Sequence, residues 1–179
     1  MRKTLFLLLF SAYAFGQIQP KDTVLADGKQ PATILKLGKH KIWMAQNKSY
    51  QTPYKLQKDG SYISNGVPFV RISLDSKKYA PDSGPSKVEY LYDNAPLEGE
   101  DNSGIINIDG VDVFTKTFYD KKKRYIHVIY YYPLRTQFLI ISLATNYEPG
   151  EDAFDLGRTM GTLVENSLYV FEDFYKIKK

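Results

Sequence analysis

The chain has no cysteine in 179 residues, which excludes disulfide bonds, thiol nucleophiles, thiolate metal ligands and lipid attachment at a mature N-terminal cysteine. Histidine is nearly as scarce, with His40 and His127 alone. Protein zinc sites draw on clustered His and Cys, and neither HExxH nor an EF-hand loop occurs, so no metal and no cofactor are expected. No apolar run reaches the roughly 20 residues that a membrane-spanning helix needs, so stable membrane insertion is not expected. Glycine-rich phosphate loops and the GxSxG nucleophile elbow are missing too, which leaves no catalytic residue that the sequence can name. A strong excess of one charge sign is also lacking: 24 Lys and Arg stand against 20 Asp and Glu. Nucleic-acid surfaces concentrate basic residues beside base-reading side chains, so this near balance gives no reason to expect a nucleic-acid partner.

What is present begins with an address. Arg2 and Lys3 precede the apolar run Leu5 to Phe10, and Ala14-Phe15-Gly16 supplies small residues where a signal peptidase cuts. Residues 1–16 are therefore expected to be a signal peptide, with cleavage before Gln17 and a bacterial periplasmic or secreted location. Residues 17–31, with Pro20, Gly28 and Pro31, read as a flexible leader holding at most a short strand at Thr23 to Ala26. Residues 32–179 are the size of one domain, large enough to bury a core without disulfide or metal support.

Within that domain the pattern predicts an α+β fold, an antiparallel meander packed by a C-terminal helix. Thr33 to Leu37 and Ile42 to Ala45 read as a hairpin turning at Gly38-Lys39, with Trp43, the sole tryptophan, expected in the core. Asp59-Gly60 and Asn65-Gly66 suit tight turns. Residues 75–104 are rich in Pro, Gly, Asp and Ser, and Lys87 to Tyr92 is expected to interrupt them as a strand. Ile105 to Ile108, Val111 to Tyr119, Tyr125 to Tyr132 and Gln137 to Thr145 carry the β-branched and aromatic residues of a meander. Ala153, Leu156, Met160, Leu163 and Val164 repeat at helical spacing after Pro149-Gly150, and Gly157 and Gly161 suggest a close approach to the sheet.

Fifteen tyrosines and ten phenylalanines are the most unusual feature of the composition. If Tyr119 pairs with Tyr125, then Phe114 faces Tyr130 and Phe118 faces Ile126 on a core side, while Thr117 pairs with His127, Thr115 with Ile129 and Val113 with Tyr131 on the other. On that pairing Tyr119, Tyr125, His127 and Tyr131 are candidates to line a groove or partner surface, and the tyrosines are core instead if the helix covers that face. The run Lys121, Lys122, Lys123 and Arg124 is a candidate electrostatic contact at the hairpin tip. The acidic stretch Glu98 to Asp101, with Asp93 and Asn102, has oxygen ligands but no standard calcium spacing and reads as a solvated loop.

The strands VDVFTKTFYD, YIHVIYYY and FLIISLAT, followed by the helix DAFDLGRTMGTLVENSLYVF with its late Ser167, follow the order of elements of a known fold. From Ile108 to Phe171 the chain resembles the Mog and PsbP-like fold, an α/β/α sandwich with an antiparallel sheet. Proteins resembling it mostly bind or assemble with others, so the resemblance implies binding rather than catalysis and assigns no functional residue. The expected function is that of an exported, soluble, non-enzymatic protein binding a protein or small ligand in the cell envelope. The alternatives are an envelope hydrolase with a fold-assembled carboxylate beside His127, a toxin-neutralising immunity-type protein, or a structural envelope component.

Overall fold

Strand-forming runs separated by short turns dictate two antiparallel sheets. The computed structural model describes residues 21–24, 31–45, 53–95, 102–165 and 168–171. In chain order the elements are β1 (Lys21–Val24), β2 (Pro31–Leu37), β3 (His40–Ala45), β4 (Lys55–Leu56), β5 (Tyr62–Ser64) and β6 (Phe69–Lys78), then α1 (Gly84–Asp93). They continue with β7 (Asn102–Ile108), β8 (Val111–Asp120), β9 (Tyr125–Pro133), β10 (Gln137–Asn146), α2 (Ala153–Glu165) and β11 (Leu168–Phe171). A four-stranded sheet has the order β1-β2-β3-β11, and a seven-stranded sheet the order β4-β5-β6-β10-β9-β8-β7. The protein is thus α+β with an antiparallel meander, β7 to β10, whose last strand turns back to pair with β6.

Alternation along the strands gives the large sheet two faces. Its inner face carries Ile72, Val113, Ile126, Val128, Tyr130, Leu139 and Ile141, which pack against Leu35, Ile42 and Met44 of the small sheet and Met160 and Val164 of α2. The buried Tyr62 ties the sheets together, its hydroxyl 3.2 Å from the Lys36 carbonyl to which it donates and 3.4 Å from the Lys36 N–H that donates to it. A smaller cluster lies on the outer face, where Val88 of α1 meets Phe114 and Phe138, flanked by Tyr79, Leu91 and Tyr131. Both helices therefore rest on the large sheet, on opposite sides.

Three expectations are corrected. Lys87 to Tyr92 lies in α1 rather than a strand. Val88, Tyr90 and Tyr92 alternate as a strand would, but Tyr90 and Tyr92 are exposed and the packed residues are Val88, Leu91 and Ala95, a helical spacing. Pro85 in the first turn, where its missing N–H costs nothing, fits that start.

The hairpin register is the second correction. Tyr125 pairs with Asp120, not Tyr119, so every pair shifts by one: Tyr119 faces Ile126, Phe118 faces His127 and Phe114 faces Tyr131. Asp120 Oδ1 accepts the Lys123 N–H at 3.0 Å, and Arg124 takes a positive φ of 49°, which closes the loop one residue sooner. A one-residue slip exchanges faces. Phe114 and Phe118 consequently lie outside, and Tyr119 lies inside, apart from Tyr125, His127 and Tyr131. Trp43 is the third: it is half-buried on the far side of β3 from Ile42 and Met44, paired in register with Ile34.

The first hairpin turns at Gly38 with positive φ, and Gly60 does the same in the Asp59-Gly60 turn. The leader contributes β1 to the small sheet, two residues earlier than Thr23 to Ala26. Residues 1–16, expected to be a signal peptide, and Glu98 to Asp101 lie outside the described residues.

Candidate partner-binding face

The outer face of the large sheet is built from residues that alternate with the core. Reading across the strands, one row runs Ser73, Ile140, Tyr131 and Phe114; the next runs Arg71, Ser142, Ile129 and Lys116; the next runs Phe69, Ala144, His127 and Phe118. Tyr125 and Asp120 lie one step further, at the hairpin tip. Helix α1 seals the first row, where Tyr131 sits with its ring 5.6 Å from Phe114 and 6.0 Å from Phe138. Burial, and secondarily Asp75, push the Tyr131 hydroxyl above its ordinary range. Among the described residues α1 is the element that packs on this face, and the second and third rows lie beyond it.

This uncovered half sets aromatic and apolar side chains among Arg71, Lys116 and Ser142. The His127 ring stacks on Phe118 at 5.9 Å and lies 6.3 Å from the exposed Tyr125 ring. His127 Nε2 is 2.5 Å from Ser142 Oγ on the neighbouring strand. Ile129, Phe69 and Phe118 are half-buried, Tyr125 is 37% exposed, and Lys116 Nζ lies 4.8 Å over the Phe118 ring. Lys121, Lys122, Lys123 and Arg124 are all exposed at the adjoining tip, where Lys123 Nζ is 3.7 Å from Asp120 Oδ2. Hydrogen bonds from the loop, with Lys123 adding its charge, keep the Asp120 carboxyl below the usual range.

Of the expected site residues, the structure brings together Tyr125, His127 and the basic tip. It places Tyr131 under α1, and Tyr119 on the inner face beside α2, where its hydroxyl lies 3.7 Å from a Cβ built at Gly157. Ile129 shares the face with His127 as expected, while Ser142, Phe118, Phe69 and Arg71 also belong to it and were not anticipated. Phe118 was within reach once the loop length was known and Ser142 once β10 was set against β9, whereas Phe69 and Arg71 depend on β6 and β10 being neighbours, which no local pattern encodes.

Burial lowers the His127 pKa below its ordinary 6.5, and no carboxylate among the described residues contributes to the shift. A Ser–His pair with no acid behind it lacks the orienting group of a hydrolytic triad. The shift carries a pH signature. The unfolded chain binds the proton more readily than the folded one, so the contribution of His127 is complete above pH 6.5 and falls as pH drops below that value. His127→Gln should flatten the loss of stability between pH 7.5 and about 5 in urea unfolding. Identical pH profiles for variant and wild type would contradict the buried imidazole. Asp59 and Asp120, whose pKa values lie below 3.8, titrate in a lower window.

A cleft of about 470 Å³ opens nearby, lined by Leu37, Asp59, Ser61, Arg71, Ser73 and Asp75 among others. Its polar groups engage one another: Asp59 accepts from the Ser61 N–H at 3.0 Å and the Ser61 hydroxyl at 2.7 Å, and pairs with Arg71 Nη2 at 2.5 Å. Those Ser61 hydrogen bonds first, and Arg71 second, hold the Asp59 carboxyl low. The described residues hold no cluster of His, Asp and Glu arranged for a metal, and no helix among them is long and apolar enough to cross a membrane. Comparison with family models, curated proteins and solved structures finds no match to this chain.

Proposed function

We propose that the chain is an exported, soluble, non-enzymatic binding protein of the bacterial envelope, which recognises a partner protein through the uncovered half of its outer sheet face and the basic tip beside it. The observation that carries this reading is the row Phe69, His127 and Phe118 with Ile129 and Tyr125, a contiguous aromatic and apolar surface on a sheet whose other half is sealed by a helix. Patches of this kind on a folded domain mark interaction sites, and tyrosine brings contact area at low entropic cost. The N-terminal pattern from Arg2 to Gly16 supports export, and the resemblance to the Mog and PsbP-like fold supports binding over catalysis.

A photoreactive phenylalanine analogue placed at Ile129 or Tyr125 in cells should yield one discrete crosslinked adduct in the envelope fraction. The same analogue at Tyr90, exposed on α1, should not. N-terminal sequencing of the recovered protein should begin at Gln17. A chain retained uncleaved in the cytoplasm, or equal crosslinking from all three positions, would overturn the reading.

A further inference from the structure

The covered half of the outer face indicates what fits the uncovered half. Successive rows on one face of a sheet are about 7 Å apart along the strands. Helices lying side by side keep their axes about 8–10 Å apart. Helix α1 rests over the row of Ile140, Tyr131 and Phe114 and over Phe138 beside it, with Val88 and Leu91 as its contacts. Because α1 straddles the Phe138 and Tyr131 rows, a neighbour lying alongside it would have its axis close to the row Ser142, Ile129, Lys116, with the row Ala144, His127, Phe118 along its far edge. Ala144, 6% exposed, is the small residue in register between the larger Phe69 and His127, with Phe118 beyond His127.

Charge says which helix. The uncovered half and its tip present Lys55, Arg71, Lys116, Lys121, Lys122, Lys123 and Arg124, against Asp59, Asp120, Glu148 and Glu151, so cations outnumber acids there. Two of the cations flank Ser142 and Ile129 in one row, Arg71 on β6 and Lys116 on β8, and the row runs on through Ile63 to Lys55 on one side and to Ser103 on the other. Arg71 already holds Asp59, and Lys116 leans over Phe118. A partner with apolar residues on one stripe and carboxylates flanking it would seat the stripe on Ile129 and Phe118 and bring its acids to both ends and to the tip.

We infer that the uncovered half of the outer face is a seat for an acidic amphipathic helix of a partner protein, docked side by side with α1. The inference rests on the reading of this face as a binding surface and names the class of partner. Lys122 and its neighbours at the tip set orientation and association rate, while Ile129 and Phe118 supply the contact that holds the complex.

The test uses the full mature chain and a labelled synthetic helix of about five turns, with Leu and Phe on one stripe and Glu on the other face, followed by fluorescence anisotropy. A peptide of the same apolar stripe with Lys in place of Glu, and a scrambled peptide of the acidic composition, serve as comparisons. The acidic helix should bind at least about tenfold more tightly than either, and its affinity should fall with salt. Ile129→Asp should weaken it about tenfold or more. Lys122→Glu with Lys123→Glu, at exposed positions that leave the core untouched, should weaken it several-fold and flatten the salt dependence. Tyr90→Ala should change nothing. Equal binding of the acidic and Lys peptides, both sensitive to Ile129→Asp, would overturn the acidic helix while leaving the face as a binding surface. Binding of every peptide unaffected by Ile129→Asp would overturn the surface itself. Vesicles of phosphatidylglycerol and phosphatidylcholine should be bound no better than phosphatidylcholine alone. Vesicle binding lost in the Lys122→Glu/Lys123→Glu variant, without binding of the acidic helix, would assign the tip to a membrane surface and overturn the inference.

Discussion

Leu139→Ala should lower the free energy of unfolding by about 3–5 kcal/mol. Leu139 is fully buried on β10, the strand that joins the two halves of the large sheet, with Leu74 of β6 on one side and Tyr132 of β9 on the other. Its side chain belongs to the cluster that also holds the small sheet and α2. Removing it therefore opens a void where three layers meet and where strands held on both sides cannot close in. Urea unfolding should show a lower midpoint with an unchanged slope. Ile140→Ala, at a half-buried position on the outer face one residue away, should cost distinctly less. Comparable losses at both positions would mean that the two faces are equally packed, contrary to the structure.

Gly84→Ala should destabilise the protein by about 1–3 kcal/mol, although Ala is the better helix former. A Cβ at Gly84 would meet Pro133 Cβ at 2.9 Å, Tyr79 Oη at 3.3 Å and the Leu134 carbonyl oxygen at 3.4 Å. None of these yields easily. Pro133 is a rigid ring in β9, and the Tyr79 hydroxyl lies within hydrogen-bonding distance of the Leu134 and Gln137 carbonyls, 2.5 Å and 3.0 Å away. The start of α1 must move instead, and with it Val88. Gly157 makes an instructive contrast, because its built Cβ lies still closer to a neighbour, 2.8 Å from Ile126 Cδ1. That atom is the end of a side chain that can rotate, and the substitution recovers about 1 kcal/mol of helix propensity. Gly157→Ala should therefore be close to neutral, and more favourable when Ile126 is shortened to Val. Thermal melts of the two single variants would separate them. A Gly84→Ala protein as stable as wild type would show that α1 is not seated against Pro133.

The contrast between the meander and the rest shows what kind of information the sequence carries. The strands β8, β9 and β10 and the helix α2 were legible because each has a long periodic signal and short punctuation on either side. Gly157 was legible as a close approach because a glycine inside an amphipathic helix needs a packing reason. Helix α1 was not, since its tyrosines at positions 90 and 92 mimic strand alternation with Val88, and only the sheet beneath shows that Val88, Leu91 and Ala95 are the packed set. The end of β6 misled for a related reason. Asp75-Ser76-Lys77-Lys78 has the composition of a turn, and the structure turns locally there, with Asp75 Oδ1 accepting the Lys77 N–H at 3.0 Å. The turn is absorbed as an irregularity in a continuing strand, where the register against β10 shifts between Leu74 and Lys78.

The candidate face was half legible. Tyr125, His127 and the basic tip follow from one hairpin, but which face they share depends on whether its loop has four or five residues. That difference rests on Asp120 and on the left-handed backbone of Arg124. Charge composition cannot distinguish the two loops, because both leave the same lysines exposed. The other side of the face comes from β6, a strand distant in sequence, and pairing between distant strands is decided by the whole core.

The place of β10 between β6 and β9 also sets an order of assembly. Strands β7, β8, β9 and β10 are joined by short connections and can zip together as soon as they exist, whereas β6 finds its neighbour only after α1 and three more strands have been made. Loop closure of that span is slow relative to hairpin formation. Until it happens, the β6 edge of β4-β5-β6 is open, and Arg71 and Phe69 are not yet beside Ser142 and Ala144. The candidate face is therefore among the last features of the fold to exist, complete only when the chain has closed its largest sheet.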